Sequence, residues 1–242
     1  MTDSKYIYGV IETSQRREFG SIGLGEKLVY TIGLKGLACV VSDSDLEVYI
    51  ANAVNLAEHE RVLEKVMGEH VVLPMRFGTV ADSEREILLM LKKHGNQFLR
   101  MLKKLEGKVE VELEIAWKDM KAVFSEIVER NPALKKLKSD PHAKSREDVI
   151  MAGQMVYQFL QDKRVKESEA FIKALKRVSE GCAMSKSTRD ELMMNASFLI
   201  DKKKIGEFDK TLNGLDAKTS GRYDIRYIGP LPPYSFVEMR VK

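Results

Sequence analysis

Three of the six prolines in this chain of 242 residues lie within four positions near its end, in the stretch GPLPPYSFV. A proline fixes its own φ angle and removes a backbone N–H donor. We therefore expect the chain to leave its last strand at Ile228 and to continue in an extended, polyproline-like path that carries Tyr234 and Phe236. Two interpretations remain open: a strap that packs on its own domain, or a docking peptide for a partner. The three prolines are Pro230, Pro232 and Pro233.

Composition excludes several classes of protein. Hydrophobic residues make up 44% of the chain and charged residues 31%, which is typical of a folded globular protein and not of a disordered one. We find no apolar run long enough for a membrane helix and no signal peptide at the start, and therefore expect a cytoplasmic protein. The 40 basic and 36 acidic residues give mixed charge, so we predict no nucleic-acid partner. Cys39 and Cys182 have neither metal-type nor redox-type spacing.

The first third of the chain predicts a small sheet. Three stretches rich in β-branched and aromatic residues read as strands, and the last two form a hairpin that turns at Lys35 and Gly36. The connection from Arg16 to Glu26 contains three glycines but lacks the order of a phosphate-binding loop, so we expect a flexible connection. The predicted strands are Tyr6 to Ile11, Leu28 to Leu34 and Leu37 to Val41.

Helices and one further strand complete this part. Apolar residues at helical spacing predict a helix over 53–67, and a second one that begins at Ser83, kinks at Gly95 and Asn96 and ends at Gly107. A buried strand is expected over 71–75. The order predicts an amino-terminal α+β domain, residues 1–106, with its helices on one face of a largely antiparallel sheet.

From Lys108 the pattern starts again with the alternating stretch KVEVELEIAW, which predicts a strand buried on one face. Helices are expected over 118–129 and from Ser145 toward Gly181, with a loop bracketed by Pro132 and Pro141. A helix of that length is expected to break near 163–169 or to project. Strands over 193–200 and 224–228 flank a helix over 205–212. We therefore predict a ferredoxin-like domain, residues 107–228, with a long helical insertion, followed by an extended tail, 229–242.

The strongest internal motif combines His59 with VVLPMRFGTV from Val71 to Val80. A proline ends the pairing of a strand, so Pro74 marks an edge or a strand end. In one interpretation, Arg76 clamps a carboxylate or phosphate while His59 carries protons. We favour the structural alternative, in which Arg76 pairs with a carboxylate such as Glu60 to hold the helix on the sheet and the phenylalanine after it fills the core. The motif residues are His59, Pro74, Arg76, Phe77 and Gly78.

Catalytic and metal-binding patterns are missing from the sequence. The four histidines show no ligand spacing, and no nucleophile motif accompanies them. We therefore predict neither an enzyme nor a cofactor. A small-molecule sensor built on ferredoxin-like domains remains an alternative, with Arg76 and His59 as its converging polar groups.

Three motifs together resemble the GvpF/GvpL family of gas vesicle proteins. They are His59 followed by LPMRFGTV, the strand in NASFLIDKK with Phe198, and GPLPPYSFV near the end. The family ending is commonly Gly-Pro-Trp-Pro-Pro-Tyr-Ser-Phe, and Leu231 replaces the tryptophan here. The resemblance spans almost the whole chain.

The resemblance implies a non-enzymatic accessory protein for gas vesicles, with an amino-terminal α+β domain and a carboxy-terminal ferredoxin-like domain. Such a protein is expected to bind the apolar wall protein of the vesicle, or other accessory proteins, during assembly, and some family members are minor shell components. Shielding an apolar client by strand addition at a sheet edge is one physical route. The family-motif candidates for partner binding are His59, Pro74, Arg76, Phe77, Gly78, Pro230, Pro232, Pro233, Tyr234 and Phe236.

Overall fold

The computed structural model describes residues 3–139, 145–185 and 189–237. Contacts divide these residues into two compact units. The first comprises the described residues up to Glu110 together with those from Gly229 onward, and the second comprises the described residues from Val111 to Ile228. The fold mixes helices with two antiparallel sheets. Among the described residues, no helix is both long and apolar enough to cross a membrane.

The first sheet has six strands: β1 (Lys5–Glu12), β2 (Glu18–Gly20), β3 (Val29–Leu34), β4 (Leu37–Asp43), β5 (Val72–Pro74) and β6 (Val80–Ala81). Their order is β2-β3-β4-β1-β5, and β6 also pairs with β1. The β3–β4 hairpin turns at Lys35 and Gly36, as predicted, with positive φ angles of 51° and 84°. Two residues with positive φ are what a tight hairpin turn requires.

The connection between β1 and β3 is more ordered than the sequence suggested. Residues 18–20 form β2, which pairs with β3 through Glu18 and Tyr30, and Phe19 is buried. A short 3-10 turn, Leu24–Glu26, follows. The expectation of a flexible connection was wrong here, because a strand of three residues is defined by its neighbour's hydrogen bonds and shows no periodic pattern of its own.

Two helices cover the first sheet: α1 (Ala53–Met67) and α2 (Glu84–Leu105). Tyr6 and Tyr8 of β1 share a core cluster with Val62 of α1, whereas Ile7, between them, lines a cavity with Ile87 of α2. Successive strand residues point to opposite faces of the sheet, so the two helices lie on opposite faces. The prediction that both helices lie on one face was wrong. The cause is that β1 is buried along seven of its eight residues, as in a strand covered on both faces. Helix α2 also runs through Gly95 and Asn96 without the expected kink.

The second sheet has four strands: β7 (Lys108–Trp117), β8 (Gly181–Met184), β9 (Leu192–Asp201) and β10 (Tyr223–Leu231). Their order is β10-β7-β9-β8. Four helices accompany it: α3 (Met120–Arg130), α4 (Pro132–Ser139), α5 (Arg146–Leu175) and α6 (Ile205–Asp216). The core contains side chains from β7, β9 and these helices, among them Leu113, Phe198 and Phe208.

Predictions for the second part of the chain were correct for β7 and approximate for other elements. The expected loop after Pro132 is helix α4, because proline suits the first position of a helix and Asn131 accepts hydrogen bonds from Ala133 and Leu134. Pro141 lies outside the described residues. Helix α5 starts with the expected capping box at Ser145, continues unbroken through 163–169 and ends at Leu175. Strand β8 was not predicted.

The last strand also continues further than expected. Strand β10 extends through Pro230 to Leu231 and does not end at Ile228. It is the edge strand of its sheet, where the missing N–H of a proline removes no ladder hydrogen bond. The residues after it are not fully extended, since Tyr234–Phe236 form a 3-10 turn.

Candidate functional site

His59 lies at the centre of an aromatic cluster in the first unit. Helix α1 places its imidazole, which is 2% exposed, against strand β1. The ring centroids of Tyr6, Tyr8, Phe77 and Tyr234 lie 5.7, 5.5, 5.8 and 6.4 Å from that of the imidazole. The Tyr234 ring is stacked, with an interplanar angle of 29°. The cluster therefore joins β1, α1, the turn after β5 and the carboxy-terminal segment within one unit.

Burial sets the protonation of His59. Its Nδ1 lies 2.9 Å from the Tyr6 hydroxyl, which accepts a hydrogen bond from the Gly78 N–H, also at 2.9 Å. Burial lowers the pKa of His59 to about 4, and the backbone of Met75 offsets only part of this effect. The imidazole is therefore a neutral packing group at pH 7, and not the proton carrier that one interpretation of the sequence suggested.

The turn after β5 presents the rest of the internal motif. Pro74 is buried at the end of β5, opposite Gly9, as the sequence predicted for a strand end. Gly78 has a φ of 81°, in the region that favours glycine, and this conformation directs its N–H toward Tyr6. Phe77 is half-buried in the aromatic cluster. This glycine and phenylalanine are thus structural members of the site.

Arg76 is placed differently from the expectation. Its side chain is exposed, and it has no ion-pair partner among the described residues, so the predicted pairing with Glu60 was wrong. Glu60 is exposed on α1 as well. Two exposed side chains of this kind gain little from pairing in water and lose conformational freedom by it. Arg76 therefore remains a solvent-facing cation beside the cluster.

The carboxy-terminal segment is attached to the first unit by polar and apolar contacts. Pro232 and Pro233 are buried. The Ser235 backbone N–H donates to Glu110 Oε2 at 2.8 Å, and its hydroxyl donates to Glu110 Oε1 at 2.6 Å. Tyr234 lies half-buried over His59, and burial raises the pKa of its phenol. Of the remaining candidates, Pro230 is exposed in β10 and Phe236 is half-buried.

The structure therefore brings together His59, Phe77, Gly78 and Tyr234, with the buried prolines flanking them, but leaves Arg76 and Pro230 at the surface. Sequence reasoning missed Tyr6 and Glu110 as members of the site. Tyr6 lies in an apolar run and Glu110 on the charged face of an alternating strand, and no local signal marks their partners, which are 53 and 125 positions away.

A second polar cluster, also missed, lies in the second unit. Glu167 on α5 accepts hydrogen bonds from Trp117 Nε1 at 2.6 Å, Tyr223 Oη at 2.8 Å and Arg222 Nη2 at 3.1 Å. Lys163 Nζ lies 2.8 Å from Glu167 and 2.6 Å from Glu126, and Arg222 also pairs with Glu126. The cluster ties α3 and α5 to the ends of β7 and β10.

These contacts shift the pKa values of both carboxylates downward. Burial raises the pKa of Glu167, but hydrogen bonds from Lys163, Trp117, Tyr223 and Arg222 outweigh this and lower it to about 2. Hydrogen bonding from Arg222, opposed by burial and assisted by Lys163, lowers the pKa of Glu126 to about 2. Both glutamates are therefore charged and paired at neutral pH.

Two cavities of the first unit are lined by residues other than the rings of the aromatic cluster. One cavity of about 750 Å³ is lined by polar residues that include Lys5, Tyr30 and Glu84, and another of about 300 Å³ is lined by Met75 and Met90 among others. Neither is lined by His59 or Arg76. No group of three or more His, Cys, Asp or Glu side chains suited to a metal ion occurs within 3–139, 145–185 and 189–237.

Comparison with known proteins yields consistent matches. The family model "Gas vesicle synthesis protein GvpL/GvpF" matches residues 4–238. Gas vesicle protein F of Dolichospermum flosaquae is 30% identical over 239 residues, which cover 97% of each chain. The crystal structure of GvpF from Anabaena sp. superposes with a TM-score of 0.85 at 28% identity, covering 99% of this chain and 100% of that one. GvpF from Microcystis aeruginosa gives a TM-score of 0.83 at 26% identity over 98% of this chain and 100% of that one.

Proposed function

Because the chain belongs to the gas vesicle synthesis protein GvpL/GvpF family and so has a role related to gas vesicles, we propose that it is an assembly factor that binds the vesicle wall protein or other accessory proteins. The observation that carries this proposal is the match over residues 4–238, together with solved GvpF structures that cover 98–99% of the chain. In this proposal the protein acts in the cytoplasm on forming vesicles, and it either leaves or remains as a minor shell component.

A binding role without catalysis agrees with the chemistry of the aromatic cluster. The imidazole of His59 is enclosed by rings and neutral, and its Nδ1 is hydrogen-bonded to the Tyr6 hydroxyl. Arg76, the other residue suggested for a reactive site, is exposed and contributes no second reactive group beside the imidazole. These groups support packing and attachment of the carboxy-terminal segment, with surface residues left to contact a partner.

We further propose that the two compact units correspond to two domains, with boundaries near residues 106 and 228. The order of elements after α2 is strand, helices, strand, strand, helix, strand, and the spatial order of strands is β10-β7-β9-β8. This is the arrangement of a ferredoxin-like domain, with α3 and α4 as additions. In this proposal the tail from residue 229 is a strap for the amino-terminal domain, supported by the contacts of Ser235 with Glu110.

The test is co-expression with the main gas vesicle wall protein, followed by pull-down and a solubility assay. The intact chain should capture the wall protein and keep it in solution. A chain truncated after Leu231 keeps the whole of β10 and loses the part of the strap that contacts Glu110, so it separates the contribution of these contacts from that of the rest. Failure of the intact chain to bind the wall protein or any other gas vesicle protein would refute the proposal.

The small-molecule alternative keeps a test of its own. A sensor should be stabilised against heat by a ligand from a panel of metabolites, because a ligand that binds only the folded state raises the free energy of unfolding. The cavity of about 300 Å³ is at the lower end of the size range of ligand pockets. Substitution of Met90, which lines this cavity, should then remove the stabilisation, whereas substitution of Arg76 should not.

A further inference from the structure

The connection between β4 and α1, together with the first turn of α1, carries an unusual group of exposed apolar side chains. Within residues 46–56, which we call the apolar connection, five large aliphatic side chains face solvent, and Val48 and Ile50 are 80% and 76% exposed. Folded proteins rarely expose such a group unless it contacts a partner. The five residues are Leu46, Val48, Ile50, Val54 and Leu56.

The backbone of the apolar connection is also open. None of the five N–H groups from Glu47 to Ala51 donates a hydrogen bond to another described residue. Among the carbonyl groups of the same five residues, only that of Ile50 accepts hydrogen bonds, from the Asn52 N–H and from Asn55 Nδ2, each at 2.9 Å. The chain bends at Glu47 and runs on from Val48 to Ile50, and the bond from the Asn52 N–H to the Ile50 carbonyl then closes a γ-turn at Ala51. Such a stretch offers donors and acceptors to an incoming strand, as a sheet edge does.

Contacts on both sides hold this open stretch in place. The Tyr49 hydroxyl lies 2.7 Å from Ser44 Oγ, and its ring packs edge-on against Tyr6 with centroids 4.8 Å apart. At the other end, the Asn52 side chain caps α1 by accepting from the Asn55 N–H. A segment that is already fixed loses little conformational entropy when a partner binds.

The sequence positions on either side of the apolar connection carry only acidic charges. From Gly36 to Glu60 the sequence has five carboxylates and no lysine or arginine. Asp43 and Asp45 are paired with Lys5 and Lys27, but Glu47 and Glu60 have no ion-pair partner among the described residues. A segment that binds here gains from basic residues at its ends and not from acidic ones.

We propose that the apolar connection binds an extended apolar segment of the vesicle wall protein that is flanked by lysine or arginine. The segment pairs with the open backbone of Val48–Ala51, places its apolar side chains against Val48 and Ile50, and places its basic ends near Glu47 and Glu60. The inference rests on the proposed function, since it specifies where and how the wall protein is bound. Strand addition of this kind combines backbone hydrogen bonds for affinity with side-chain contacts for selectivity.

The experiment uses the full chain with the double substitution Val48→Ser and Ile50→Ser, and the wall protein as probe. These side chains are mostly in water, so the free energy of unfolding of the variant should stay close to that of the unmodified chain. Val165→Ser is the matched control, because Val165 on α5 is 72% exposed. The double variant should bind the wall protein about tenfold more weakly or worse, and the control should bind normally.

Hydrogen exchange adds a readout that does not depend on substitution. In the complex, the amides of Glu47 to Ala51 should exchange more slowly than in the free chain. Replacing Glu47 and Glu60 by lysine should weaken binding of the wall protein. The loss of affinity should be larger at low salt than at high salt, because salt screens Coulombic interactions.

Three results would overturn the inference in distinguishable ways. Binding that is unchanged in the double variant, with no protection of these amides, rejects this surface and leaves the proposed function intact. Absence of any complex between the intact chain and the wall protein rejects the inference and restricts the proposed function to binding of other gas vesicle proteins. Self-association of the intact chain that the double variant abolishes shows that a second copy occupies the surface.

Discussion

Glu167 supports a sharp test of how the second unit is held together. Replacing it by glutamine keeps the volume of the side chain but removes the charge that five donor atoms, from Trp117, Tyr223, Lys163 and Arg222, surround. The amide presents its own N–H groups to some of these donors. We therefore expect Glu167→Gln to destabilise the second unit.

The magnitude follows from the pKa of the carboxylate. A shift from 4.5 to about 2 corresponds to 2.5 pH units, or about 3.4 kcal/mol of preference for the charged form in the folded state. The side chain is 18% exposed, and Glu126 still pairs with both cations in the variant, so we expect a loss of about 2 kcal/mol.

The assay is urea denaturation followed by fluorescence. Trp117 is the single tryptophan of the chain and lies in the second unit, so its signal reports the unfolding of that unit. The control is Glu169→Gln, an exposed position on the same helix, which should change the free energy of unfolding by less than about 0.5 kcal/mol.

The pH dependence provides the refutation. Because the folded pKa of Glu167 is depressed, its contribution is complete above about pH 4.5 and is lost as the pH falls toward 2. The difference between the unmodified chain and the variant should therefore shrink to less than half of its neutral value at pH 3. A difference below about 0.5 kcal/mol at pH 7, or one that does not change with pH, would show that the hydrogen bonds do not stabilise the fold as argued.

Three further predictions concern the aromatic cluster. Tyr234→Ala should lower the free energy of unfolding by about 2 kcal/mol and expose the carboxy-terminal segment to limited proteolysis. Tyr234→Phe should change neither the stability nor the proteolysis, because among described residues the hydroxyl has no hydrogen-bond partner. Gly78→Ala should cost about 1–2 kcal/mol in chemical denaturation, because its φ of 81° strains any side chain; an unchanged midpoint contradicts this. Because the pKa of His59 is lowered to about 4, its contribution to the free energy of unfolding is lost as the pH falls from 6.5 to 4. In His59→Phe, the free energy of unfolding measured by circular dichroism should change less with pH over this range. An unaltered slope assigns the pH dependence to another group.

Local patterns predicted much of the fold. The alternation of KVEVELEIAW marked β7 with its observed bounds, Lys108–Trp117, and Lys35 with Gly36 marked the hairpin turn, because both signals are contained within a few neighbouring residues. The short strands β2, β6 and β8 could not be found this way. Each has two to four residues, so its existence depends on a partner strand and not on its own periodicity.

The aromatic cluster shows the same division. The sequence identified His59, Phe77 and Tyr234 as motif residues but could not say that their rings meet, since the contact depends on how the two ends of the first unit come together. It also paired Arg76 with Glu60 on the basis of opposite charge. That criterion cannot distinguish a buried pair, which geometry enforces, from two side chains that remain separately hydrated.

The contact between Glu110 and Ser235 closes a loop of 125 residues and thereby sets an order of events during synthesis. Ribosomes add about 5–20 residues per second, so roughly 6–25 s separate the appearance of the acceptor from that of the donor. Throughout that interval His59 lacks the ring of Tyr234, even when α1 and β1 have already formed. The unit whose synthesis begins first is therefore the last to be completed, and every nascent chain passes through a stage in which its amino-terminal core is open on one side.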